Sequence, residues 1–116
     1  MLLTIDQNSD RPLFEQVAAS VRASIVAGRI FPGDRLPSAR EVATGLGINL
    51  HTVLRAYQDL RDEGLVDLRR GRGAVVSAHA ASLTELQADI AVLVARAADL
   101  GLTPHTLAAL IKEHPA

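Results

Sequence analysis

The sequence predicts an α+β chain, mainly helical, in which a small domain ending in a hairpin is followed by a two-helix tail. Three observations carry this. Apolar residues recur at three- and four-residue spacing in several stretches, a short apolar run doubles back over Arg70-Gly71-Arg72-Gly73, and a heptad-like seam runs through the last third. The 116 residues, 48% apolar and 22% charged, suit one ordinary domain with a short appendage and a real core.

In chain order, Leu3-Thr4-Ile5 is read as a short strand. Asp10-Arg11-Pro12 then reads as a helix start, with Asp10 as N-cap and Pro12 in the first turn. Leu13, Phe14, Val17, Val21, Ile25 and Val26 share one face of that helix, and Gly28 stops it. Ile30 to Asp34 is a turn, and Pro37 holds Leu36 extended. Ser38 and Glu41 form a capping box that opens a second, short helix with Val42 and Leu46 inward, broken by Gly45 and Gly47. Asn49 caps a third helix, whose inward face is Val53, Ala56, Tyr57 and Leu60 and which ends at Gly64. Two short helices across a glycine turn make a helix-turn-helix.

Leu65 to Arg69 and Ala74 to Ser77 pair as a hairpin with a basic tip, which turns the pattern into a winged helix-turn-helix over residues 1–78. Residues 82–114 form the tail. Ser82 and Glu85 are read as a capping box, and Leu83, Leu86, Ile90, Leu93, Ala97 and Leu100 follow at intervals of 3, 4, 3, 4 and 3. Thr103 and Pro104 start a last helix with Leu107, Leu110 and Ile111. So short a seam is not a stable free coiled coil but suits helix pairing, and with a second copy as the partner Leu83, Leu86, Ile90, Leu93, Ala97, Leu100, Leu107 and Leu110 would be the dimer interface. The alternative is a tail that folds back on its own domain.

Charge is distributed unevenly. The net charge is −1, yet residues 1–80 carry ten Arg/Lys against nine Asp/Glu, whereas residues 81–116 carry two against four. Eleven of the twelve basic residues are arginine, the side chain suited to bidentate contact with phosphate and guanine. Free N–H groups and the positive dipole end at the second helix would let Ser38 and Arg40 hold a phosphate. Asn49, Leu50, His51, Leu54 and Arg55 lie on the outer or leading side of the third helix. There Asn49 and His51 can bond base edges and Leu50 can touch a thymine methyl, although Asn49 is equally well explained as a cap alone. Arg70 and Arg72 flank wing glycines that let backbone approach DNA. Tyr57 belongs to the core stripe.

Other classes are disfavoured. With no cysteine, disulfides, thiolate zinc sites and cysteine nucleophiles are excluded, and the reducing cytoplasm is the expected location. No apolar run reaches the roughly 20 residues of a membrane span, and Met1 to Asp6 lacks a signal peptide's basic stretch, so no membrane role is expected. His51, His79, His105 and His114 show no metal-ligand spacing, so no metal, cofactor or enzymatic activity is expected.

Pro12-Leu13-Phe14-Glu15-Gln16, Gly33-Asp34-Arg35-Leu36-Pro37-Ser38-Ala39-Arg40, Leu46-Gly47-Ile48-Asn49, Glu63-Gly64-Leu65-Val66 and Arg70-Gly71-Arg72-Gly73 stand in fixed order over about residues 10–77. This resembles the DNA-binding domain of GntR-family bacterial transcription regulators. Asn49-x-x-Thr52-Val53 with Arg55-Ala56-Tyr57, and the short tail, are similar to the YtrA-like subfamily. The resemblance implies a dimeric cytoplasmic repressor without a large effector domain, often acting on transporter operons. Its partners would be a second copy and double-stranded DNA with a palindromic operator. It places DNA contacts on Arg35, Ser38, Arg40, Asn49, His51, Thr52, Arg70, Gly71 and Gly73. Many relatives have arginine where this chain has Leu50 and Leu54, so their base preference does not transfer. A tail of about 35 residues leaves no room for a separate pocket of several hundred cubic ångströms, so a small-molecule effector, unnamed by the sequence, would have to bind between tail and winged helix. The competing reading is a winged helix that binds protein instead of DNA.

Overall fold

The computed structural model describes residues 3–115. Five α-helices and one hairpin follow in chain order: α1 (Leu13–Val26), α2 (Ala39–Leu46), α3 (Leu50–Asp62), β1 (Val66–Arg69), β2 (Gly73–Val76), α4 (Ala81–Asp99) and α5 (Pro104–Glu113). A 3-10 turn over Ala78–Ala80 leads into α4. The chain divides into two compact units, one up to Thr84 and one from Glu85.

In the first unit, α1 and α2 pack on α3, and Val17, Val21, Val42, Val53, Leu60, Val66 and Val76 are fully buried together. These are the stripes that the 3.6-residue period places inward, so the helices form because packing rewards one face of each. Arg22 pairs with Glu63 at 2.5 Å and ties the outer side of α1 to the end of α3. The turn between α2 and α3 depends on Gly47. It adopts a left-handed φ of 68°, and Ile48 N–H donates to the Ala43 carbonyl at 3.0 Å. The hairpin is antiparallel, pairing Val66 with Val76 and Arg69 with Gly73.

Four sequence expectations are corrected. Leu3-Thr4-Ile5 is no strand: Leu3 is buried, but the Thr4 N–H donates to Ser20 Oγ of α1 at 3.0 Å instead of to another strand. Asp10 is not the cap of α1; Pro12 holds that place, and no side chain caps it. The Gln16 amide organises the approach instead, accepting from Asp6 N–H at 2.6 Å and donating to the Asp6 and Arg11 carbonyls at 3.0 and 2.9 Å. Gly45 lies inside α2 and does not break it. Ser82 is the second residue of α4, not its cap, because the 3-10 turn already delivers the chain into the helix.

One pairing was not foreseen. Residues 33–36, read as a turn and an extended approach, run antiparallel beside β2. Val76 N–H donates to Asp34 O and Leu36 N–H to Ala74 O, both at 2.8 Å, with Arg35 bridged to Val75. The wing is thereby fastened to the segment that leads into α2.

In the second unit, Ala97 is buried at 5% exposure, and its carbonyl accepts from Leu102 N–H at 2.8 Å where the chain turns toward α5. Thr103 caps α5 through its Oγ1, which accepts from Thr106 N–H at 3.2 Å. Leu86, Ile90, Leu93, Leu100, Leu110 and Ile111 are exposed. Leu83 belongs with the first unit, half-buried against its core.

Candidate nucleic-acid interface

Three elements converge on one surface of the first unit. Ser38 caps α2, its Oγ accepting from Glu41 N–H at 3.1 Å. Ser38 is itself held in place by Tyr57, whose hydroxyl donates to the Pro37 carbonyl at 2.5 Å. Tyr57 is buried, as expected for the core stripe. Burial, and secondarily the Glu41 carboxylate, push its phenol well above the ordinary value, so it stays a donor. Its ring fixes α3 in the core while its hydroxyl fixes the start of α2.

Between α2, α3 and the wing lies an open cleft of about 370 Å³, whose lining includes Ser38, Leu54, Gln58, Leu68, Arg70 and Gly73. The wing tip is the three-residue connection Arg70-Gly71-Arg72. Gly71 and Gly73 take left-handed φ values of 80° and 73°, closed by Arg72 N–H donating to Arg69 O at 3.1 Å. Side chains other than glycine are strained in that region, so the tight tip follows from the two glycines.

The structure thus brings Ser38, Arg70 and Gly73 to a common cleft. Arg40 lies next to Ser38 in the first turn of α2, exposed, and lines a neighbouring depression with Glu41 and Thr44. Arg35 is exposed on the segment paired with β2. Asn49, Leu50, His51 and Thr52 form the N-terminal turn of α3 and do not line the cleft. Asn49 Oδ1 caps that helix by accepting from His51 N–H at 2.8 Å, and Leu50 leans on the core, half-buried. Arg55 is also apart from the cleft, its guanidinium stacked 3.6 Å above the Phe14 ring of α1. Sequence reasoning missed Gln58 and Leu68. The signal for Gln58 was present, since Leu50, Leu54 and Gln58 repeat every four residues along one side of α3.

Ion pairing takes up three of the arginines. Among the described residues the ion pairs are Arg22 with Glu63, Arg61 with Asp62 and Arg69 with Asp67. Arg35, Arg40, Arg70 and Arg72 are in none of these pairs, leaving four free cations on α2, its approach and the wing. Exposed cations without a carboxylate partner attract anions.

Residues 13–76 match the family described as bacterial regulatory proteins, gntR family. The chain belongs to the GntR family. It is 39% identical over 79 residues to the HTH-type transcriptional repressor YtrA of Bacillus subtilis, a match covering 68% of this chain and 61% of that protein's own length. Among solved structures, YtrA from Sulfolobus acidocaldarius, a GntR-family transcription factor, is 34% identical with a TM-score of 0.64, over 85% of this chain and 99% of that one. The DNA-binding domain of AraR in complex with operator ORX1 is 28% identical with a TM-score of 0.58, over 66% of this chain and 95% of that one. Within the GntR family the chain is YtrA-like. The mainly helical winged fold expected from the sequence is the fold observed.

Proposed function

We propose that this chain is a homodimeric, sequence-specific DNA-binding transcriptional regulator, a repressor of its own or a transporter operon. One observation carries the reading: among the described residues Arg35, Arg40, Arg70 and Arg72 stand outside the ion pairs, on the segment entering α2, on α2 and on the wing, and Arg70 lines the cleft that also borders α3. A helix N-terminus, a second helix exposed at its leading turn and a basic hairpin tip form the set of parts with which a winged helix-turn-helix grips duplex DNA. The AraR operator complex supports this, since a domain of like fold is bound to DNA there.

In this reading Arg35, Ser38, Arg40, Arg70, Gly71, Arg72 and Gly73 hold phosphate. Asn49, Leu50, His51, Thr52 and Arg55 lie on or near the base-reading helix, with Asn49 serving first as its cap and Arg55 first as its strut against Phe14. The exposed seam of Leu86, Ile90, Leu93, Leu100 and Leu110 pairs with a second copy and sets two winged helices on half-sites about one turn, ~34 Å, apart. The test is fluorescence anisotropy with the DNA upstream of its own gene and with shuffled DNA over a range of salt. Selective binding that falls steeply with salt is expected. Salt-insensitive capture of a protein partner with no DNA binding would replace this reading by the protein-interaction one.

A further inference from the structure

The cleft between α3 and the wing combines an apolar floor with a cationic rim. Leu54 and Leu68 remain 37% and 41% exposed, Ala39 and Ala74 continue the floor, and Arg70 stands at the edge with no carboxylate among the lining residues. Leu54 and Leu68 thus leave part of their apolar surface open beside the unpaired Arg70 and the wing's Arg69, and an apolar patch rimmed by polar groups marks a contact surface. A polyanion is the partner that the rim selects. In duplex DNA the major groove offers one apolar group between its phosphates, the C5-methyl of thymine. Leu54 lies one turn in from the start of α3, the part of such a helix that approaches base edges.

We propose that Leu54, together with Leu68, receives a thymine methyl and thereby specifies thymine at one position of each half-site. This rests on the DNA-binding reading above and adds a specificity determinant to it. The methyl exchanges water for the leucine side chains, and no hydrogen bond is needed. The contact discriminates thymine from cytosine and from uracil by packing alone.

The experiment takes the operator found by footprinting the upstream DNA and replaces each thymine in turn by deoxyuridine, which removes the methyl and keeps every hydrogen-bonding group. Anisotropy titrations should show one position per half-site where Kd rises about fourfold, the effect of one buried methyl. In Leu54→Ala, which is partly exposed and therefore folds, the same replacement should leave Kd unchanged, the mark of a direct pair in a double-mutant cycle. Tolerance of deoxyuridine at every position, with shuffled DNA still rejected, overturns the methyl contact and leaves the DNA-binding reading standing. Equal binding to operator and shuffled DNA removes both. Undiminished deoxyuridine sensitivity in Leu54→Ala overturns the assignment to Leu54.

Discussion

Up to Thr84, Val17, Val21, Val42, Val53, Leu60, Val66 and Val76 bury one another completely, whereas from Glu85 onward Ala97 is the one buried apolar residue among those described. Both units carry apolar stripes of the same helical period. They differ in that three helices and a hairpin can surround a core, whereas two helices of one chain are too few elements to do so. Leu86 at 53% and Leu100 at 68% exposure are the consequence. The same kind of patterning therefore builds a core in one unit and leaves an exposed apolar face in the other.

This contrast can be broken at its weakest point first. Leu86→Glu combined with Leu93→Glu should yield a monomer whose operator affinity falls by roughly 10²–10⁴, the loss of a linked second half-site. Analytical ultracentrifugation and anisotropy check it together, and full affinity in a proven monomer would show that the seam is not an interface. The first unit should keep its own thermal transition, since its core does not depend on those leucines.

Leu60→Ala, by contrast, should destabilise the first unit by about 2–5 kcal/mol, because a fully buried leucine leaves a cavity there. Denaturant unfolding of the variant measures the loss. A change below about 0.5 kcal/mol, typical of surface sites, would dissolve the distinction between the units.

Tyr57→Phe should cost about 1 kcal/mol by removing the hydrogen bond to Pro37. Its pH dependence sharpens the point. The folded-state phenol sits above its ordinary value of 10.0, so its contribution is complete below that pH. Above it the unfolded chain ionises first, so stability falls as pH rises toward the folded value. Wild type should lose stability in that alkaline range and the phenylalanine variant should lose less. Tyr57 is the single tyrosine, so tyrosinate absorbance reports it directly. Ionisation near the ordinary value in the folded protein would refute the buried role.

The smallest effect concerns the surface. Arg40→Ala should weaken binding about equally for operator and shuffled DNA and reduce the salt slope by about 1, as a phosphate contact does. A selective loss on operator alone would move Arg40 to base reading.

Much of the fold was legible because its signals are local. Gly28, Gly47 and Gly64 stand just past the ends of α1, α2 and α3, Ser38, Asn49 and Thr103 cap the helices that follow them, and two glycines shape the wing tip. The candidate site was legible as a set of elements, less so as a set of partners. Arg55 illustrates the limit: its place on α3 can be read from spacing, but its stacking on Phe14 joins residues far apart in the chain. The Gln16 amide, the Tyr57 hydroxyl and Leu68 in the cleft share that limit.

The sequence by itself determined which stretches are helical, where they stop, which face of each is apolar and that a basic hairpin follows the third helix. Periodicity and capping act within a few residues and need nothing distant. Tertiary structure alone decided that residues 33–36 pair with β2, that Leu3 to Ile5 pack without pairing, that Leu83 joins the first core, and that the later leucines stay open. Each of these depends on which surfaces the packed helices leave free, and that is fixed only when the whole unit has closed.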